Sequence, residues 1–130
     1  MSRQTLEFKH ASLMGMVTVA GDKKVDFLNS YEDFNLSLPE AERLSKVMGL
    51  SSRYIVSGEE TTSDLCFDAA KKLISGTSLS ESDINGLIFV SQTPDFSTPA
   101  TAISLQHRLG ISTCSICFDM SLGCSGFVYG

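Results

Sequence analysis

The chain has 130 residues, the length of one ordinary domain. Hydrophobic residues make up 42% and charged residues 19%, a balance that excludes a disordered chain. The net charge of -5 and pI near 4.8 argue against a nucleic-acid surface. The opening "MSRQTLEFKHASLMGMVTVAG" lacks a sustained apolar stretch, and no run of 18 apolar residues follows. These features predict a cytoplasmic protein with no membrane partner. Cysteines stand at 66, 114, 117 and 124, three of them within eleven residues. That clustering is unlike a disulfide framework and predicts reduced thiols.

In chain order, "SLMGMVTVAG" (residues 12–21) predicts a strand, and "KKVDFLN" its continuation after a turn at Gly21-Asp22. Residues 39–47, "PEAERLSKV", predict a helix: proline suits the first turn, acidic residues follow it, and Gly49 would end it. "TTSDLCFDAAKKLISG" is the clearest helix. Leu65, Ala69 and Leu73, with Ala70 and Ile74, recur at i, i+4; Thr62 or Ser63 would cap the start and Gly76 close the end. "GLIFVS" is a continuous apolar run, expected for a strand buried on both faces. After the turn-rich "QTPDFSTP", a helix is expected with Thr98 as N-cap and Pro99 at N1, then a short buried strand in "CSICFDM". Helix, strand, helix, strand, helix from residue 60 is the pattern of a parallel sheet covered by helices.

The closing stretch "FDMSLGCSGFVYG" reads as a strand running into a helix, with Cys124 at the junction. Unpaired N–H groups and the dipole of a helix start favour the thiolate, the reactive form of cysteine. Gly123 and Gly126 would let the backbone turn sharply and leave room for a substrate. A nucleophile on a strand–turn–helix elbow is a recurring catalytic device. Equally, Cys124 could be a small apolar residue at a junction, and the residues alone leave both readings open.

Three stretches carry a resemblance. "FDMSLGCSGFVYG" resembles the active-site segment of β-ketoacyl-acyl-carrier-protein synthase III, in the thiolase-like superfamily. "SGEETTSDLCFDAAKKLI" is similar to that family's Glu-Thr-x-Ser-Asp-Leu helix. "INGLIFVSQTPDFSTPATAISLQHRLGI" is similar to its next strand, Thr-Pro-Asp loop and Gln-containing helix. The match runs from about Met48 to Gly130 and more loosely upstream. It implies an α/β fold, the N-terminal half of a thiolase-like architecture, with residues 1–130 forming one domain that is incomplete just after the nucleophile elbow.

The resemblance implies a condensing acyltransferase of fatty acid or related acyl biosynthesis. Cys124 would take an acyl group from a thioester and pass it to the carbanion of decarboxylated malonyl-carrier protein. The implied partners are acyl carrier protein, an acyl-CoA or other acyl thioester donor, and a second copy in a homodimer. No cofactor, metal or nucleic acid is implied. The family's assisting histidine and asparagine belong to a second half outside this chain, so the chain alone is expected to be inactive. The alternative is a non-catalytic thiolase-like partner of another synthase. Thr98 matches the family position that reaches across the dimer to the end of the acyl pocket, where a phenylalanine selects short chains; threonine implies room for longer ones.

Departures matter as well. The family's CoA-gripping tryptophan and arginine align with Arg43 and Val47, and Met48-Gly49-Leu50 replaces its Thr-Gly-Ile. That leaves the acyl donor open between CoA and a carrier protein. Ser121 replaces an asparagine, and Leu122-Gly123 a pair of alanines. His10 and His107 do not match the catalytic histidine; His107 is expected at the surface or in packing. "CSIC" has the spacing of a metal or redox site but no second pair, and in a strand its cysteines would face opposite sides. The eight phenylalanines are expected mostly in the core.

Overall fold

The computed structural model describes residues 9–130. Along them run β1 (Lys23–Asp26), a 3-10 turn (Tyr31–Phe34), α1 (Leu38–Met48), β2 (Ser52–Ile55) and α2 (Thr62–Ser75). A second 3-10 turn (Glu81–Asp83), β3 (Gly86–Val90), α3 (Thr101–Leu109), β4 (Ile116–Met120) and α4 (Gly126–Tyr129) follow. The alternation expected from residue 60 is present.

β3 and β4 pair in parallel, from Gly86 opposite Ile116 to Val90 opposite Met120, with α3 as the crossover between them. Side chains alternate across a strand, so Leu87, Phe89 and Cys117 share one face. Phe89 is buried there with Ala102 and Leu105 of α3; Leu87, Cys117, Cys66 and Phe67 pack against them. The opposite face carries Ile88, Ile116 and Phe118, all exposed. The expectation of burial on both faces is therefore corrected. Among the described residues α2 and α3 cover one face only, and a parallel sheet needs a layer on each side to hide both.

Local chemistry explains most helix ends. α1 stops at Gly49, whose φ of 67° places it in the left-handed region that glycine enters without strain, and Gly110 ends α3 in the same way at φ 72°. α2 is capped by Thr61, one residue before either predicted cap, because Asp64 then falls at N3: its carboxylate accepts from the Thr61 N–H at 3.0 Å. Gly76 closes α2 as expected. α3 begins at Thr101, so Thr98 is not its N-cap and Pro99 is not at N1.

Two other expectations fail. Residues 12–21 form no strand; a strand needs a ladder partner, and the described sheets pair only β1 with β2 and β3 with β4. Their apolar side chains Leu13, Met14 and Met16 are exposed. The predicted continuation does form, as β1, which pairs antiparallel with β2. Phe27 and Phe89 are the buried phenylalanines; Phe34, Phe96, Phe118 and Phe127 are exposed, Phe67 is half-buried, and Phe8 lies outside the described residues. No helix among the described residues is long and apolar enough to cross a membrane.

Candidate active site

β3 and β4 end at the same level. The Ser91 N–H donates to the Met120 carbonyl at 3.3 Å and the Leu122 N–H to the same oxygen at 3.0 Å. The carboxyl ends of parallel strands are where open α/β sheets bind ligands, and Cys124 stands there. It is exposed, in a turn that the Gly126 N–H closes by donating to the Gly123 carbonyl at 2.8 Å. The expected helix start is displaced: α4 begins two residues later and spans four residues. So short a helix carries little dipole, and the access of Cys124 rests on its place in the turn.

Beside it opens a cleft of about 570 Å³ lined by Ile88, Val90, Gln92, Leu122 and Phe127 together with Cys124. A thiol at the mouth of a mostly apolar cleft suits an acyl chain whose reacting carbon lies at the sulfur. The sharp turn expected at Gly123 and Gly126 forms without a positive φ, and both glycines also serve close approach. A Cβ on Gly126 would stand 2.5 Å from Val90 Cγ1, and one on Gly123 would stand 3.1 Å from Gln92 Nε2.

Thr98 lies elsewhere. It is exposed in the β3–α3 loop, its hydroxyl donates to the Ser97 carbonyl at 2.7 Å, and it does not line the Cys124 cleft. The start of α3 is capped instead from β4: the Asp119 carboxylate accepts from the Thr101 and Ala102 N–H groups, both at 2.7 Å. One carboxylate thus ties the strand that leads to Cys124 to the helix that follows Thr98.

The same loop is held at Asp95. Its carboxylate accepts from the Thr61 hydroxyl at 2.8 Å, the Ser63 hydroxyl at 2.5 Å and the Ser63 N–H at 3.3 Å, all at the start of α2. Arg108 of α3 donates to Ser63 Oγ at 3.1 Å and to Asp64 Oδ1 at 2.7 Å, and its guanidinium lies 4.6 Å over the Phe67 ring. Bonds from the Thr61 N–H, then from Arg108, hold the Asp64 carboxyl below its ordinary value. Burial, and then the Asp95 charge, push the Cys66 thiol up, which leaves less of it as thiolate than an ordinary cysteine has at neutral pH.

Sequence reasoning missed Gln92, Asp95 and Asp119 as site residues. The signal for Asp119 was an acid inside an apolar strand, a residue that needs donors wherever it is buried. Cys114 precedes β4 rather than lying within it, so only Cys117 of the pair is in a strand. No group of three His, Cys, Asp or Glu close enough to hold a metal occurs among the described residues. His10 and His107 are both exposed. Arg43 and Val47 share one face of α1, with Glu40 and Leu44, along a shallow depression of about 290 Å³.

No family model matches the chain. A Campylobacter jejuni protein provisionally named 3-oxoacyl-[acyl-carrier-protein] synthase 3 is 32% identical over 124 residues, covering 95% of this chain and 35% of that protein. A beta-ketoacyl-[acyl-carrier-protein] synthase III of Agrobacterium fabrum is 43% identical over 81 residues, 62% of this chain and 25% of that protein. Among solved structures, a 3-oxoacyl-(acyl-carrier protein) synthase from Burkholderia xenovorans superposes with a TM-score of 0.78 at 34% identity, over 87% of this chain and 32% of that one. The chain thus spans 35% of the length of the Campylobacter jejuni relative and less of the Agrobacterium fabrum one. In sequence and in fold, the chain is similar to the N-terminal part of 3-oxoacyl-acyl-carrier-protein synthase III enzymes.

Proposed function

We propose that the protein is a 3-oxoacyl-acyl-carrier-protein synthase III-type condensing enzyme, with Cys124 as its nucleophile. The observation that carries this reading is an exposed thiol at the carboxyl ends of two parallel strands, at the mouth of an apolar cleft. In the first half-reaction the Cys124 sulfur attacks the carbonyl carbon of an acyl thioester. A new C–S bond forms, the donor's C–S bond breaks, and the donor thiol leaves with the proton. In the second, loss of CO2 from malonyl-carrier protein leaves a carbanion that attacks the acyl-enzyme carbonyl. A C–C bond forms and the Cys124 thiolate departs. This sequence uses thioester substrates and no cofactor, in the cytoplasm.

A tetrahedral intermediate needs donors to its oxyanion, and a carboxylate leaving as CO2 needs a group to stabilise the carbanion. The family's histidine and asparagine would supply these from outside the residues described, so this chain alone is expected to form no β-ketoacyl product. The partners of the reading are acyl carrier protein, an acyl-CoA or acyl-carrier donor, and a second copy in a homodimer.

The test uses the protein expressed from its complete reading frame, incubated with acyl thioesters of graded length and read by peptide mass spectrometry. The acyl mass is expected on Cys124. Substitution Cys124→Ala should lower condensation by on the order of 10³-fold or more. An acyl group on Cys66 or Cys114 instead, or none on any cysteine, overturns the assignment and leaves a non-catalytic partner protein.

Thr98 enters as the acyl-length position of the partner protomer. Its position outside the Cys124 cleft of its own protomer is compatible with a role across a dimer, and its freedom from helix capping leaves its side chain available for one. Thr98→Phe is expected to shift donor preference towards acetyl. An unchanged rank of donors would remove Thr98 from the pocket.

A further inference from the structure

The β3–α3 loop, residues 91–100, enters the Cys124 cleft at one end and carries Thr98 at the other. At its first end Gln92 lies against Gly123, one residue from the nucleophile. At its far end α3 is fixed to β4 through Asp119. Between these points the backbone makes no ladder, because β3 has ended at Val90. A loop of this length with no ladder would ordinarily sample several conformations.

Its midpoint is held by one carboxylate. Asp95 is half-buried, and both of its oxygens are used: Oδ2 accepts from Thr61 Oγ1 and Ser63 Oγ, and Oδ1 from the Ser63 N–H. Ser63 is itself 2% exposed and receives Arg108 on the same oxygen, so the anchor is rigid and tied to both helices. The Thr93 hydroxyl adds a second tie, 3.3 Å from that of Thr62. Three donors aimed at one carboxylate specify position more tightly than packing does, since each bond is short-ranged and directional.

We propose that Asp95 is a positioning residue that locks the 91–100 loop onto the start of α2, and so sets acyl-chain selectivity. The lock fixes Gln92 at the cleft and holds the exposed end of the loop that carries Thr98. It makes no contact with the nucleophile. This inference rests on the condensing reading above, because selectivity presupposes an acyl substrate. Asp95→Ala removes all three acceptor contacts. Asp95→Asn keeps one acceptor oxygen, and hydroxyl partners can rotate to accept from its amide, so it should restore part of the function.

The experiment uses the protein from its complete reading frame, as wild type and both variants. Three quantities are measured: amide hydrogen exchange of peptides covering residues 91–100, kcat/KM for decanoyl against acetyl donors, and the rate of Cys124 alkylation. Loop exchange is expected to rise about tenfold or more in Asp95→Ala, and less in Asp95→Asn. The decanoyl-to-acetyl ratio is expected to change by about fivefold or more in Asp95→Ala, while alkylation of Cys124 stays within about twofold of wild type.

An equal loss with both donors would mean a structural role only, and overturns the proposal; so does unchanged exchange in the loop. A wild type that never acylates Cys124 sinks the condensing reading instead, and the lock is then decided by exchange alone.

Discussion

Residues 23–55 and residues 62–130 are held by different kinds of interaction. In the first region only Phe27 and Ala41 are buried hydrophobics. Its ties lie at or near the surface: a four-residue antiparallel ladder, Glu40 accepting from the Ser37 N–H at 2.9 Å, and Arg53 lying 4.7 Å over the Phe34 ring. In the second, Phe89, Ala102, Leu105, Leu109 and Ile111 are buried, and carboxylates cross between elements far apart in sequence. Both regions pair strands across an intervening helix, Lys23 with Ile55 and Gly86 with Ile116; the second also packs its helices against its strands to bury a core. Mutational sensitivity should therefore concentrate in the second region, and around its polar ties as much as its apolar core.

The largest effect expected on stability is at Asp119. Asp119→Ala leaves the first two N–H groups of α3 without an acceptor, and charge-assisted bonds of this kind make the loss about 3 kcal/mol. The midpoint of urea unfolding at an unchanged slope would report it. A change under half that size would show that water takes over the cap, and the contrast between the regions would weaken.

Gly126 comes next. A Cβ there meets Val90 Cγ1 at 2.5 Å, so Gly126→Ala should cost about 1–3 kcal/mol through overpacking. The sharper form is the pair with Val90→Ala. If the contact is the cause, the double substitution loses less than the two single losses added together. Simple additivity would place the strain elsewhere.

The smallest effect belongs to the first region. Ser37→Ala removes a hydroxyl that donates to Glu40 at 2.5 Å, at an exposed helix start, and should cost less than about 1 kcal/mol. The acid dependence has a definite sign. Bonds from the Ser37 side chain, then from its backbone N–H, lower the Glu40 carboxyl below its ordinary 4.5. The stabilising contribution is therefore fully present above pH 4.5 and is lost as pH falls through the lowered folded value. Ser37→Ala should flatten this part of the acid-unfolding curve. An unchanged curve would assign the pH response to other carboxylates, such as Asp64.

The sequence by itself determined the order of elements from residue 60, the extent of α1, the glycine stop after it and the elbow that presents Cys124. Each follows from signals a few residues long: apolar periodicity, proline and acid at a helix start, glycine where φ is positive. It also carried the resemblance to synthase III enzymes, because "CSGF" after an apolar strand joins Cys124 to its supporting turn within one stretch.

Only the tertiary structure decided which strands formed and where α3 began. Residues 12–21 have strand composition and no strand, since a ladder requires a partner that composition does not supply. Thr98-Pro99 has every local mark of a helix start. The Asp119 carboxylate, eighteen residues beyond Thr101 in sequence, captures the N–H groups of Thr101 and Ala102 instead. A cap read from neighbours competes with a charged acceptor arriving from another strand, and the stronger, partly buried bond wins. The same reason hid Asp95: a carboxylate in a turn-rich loop looks solvated until the start of α2 is folded against it.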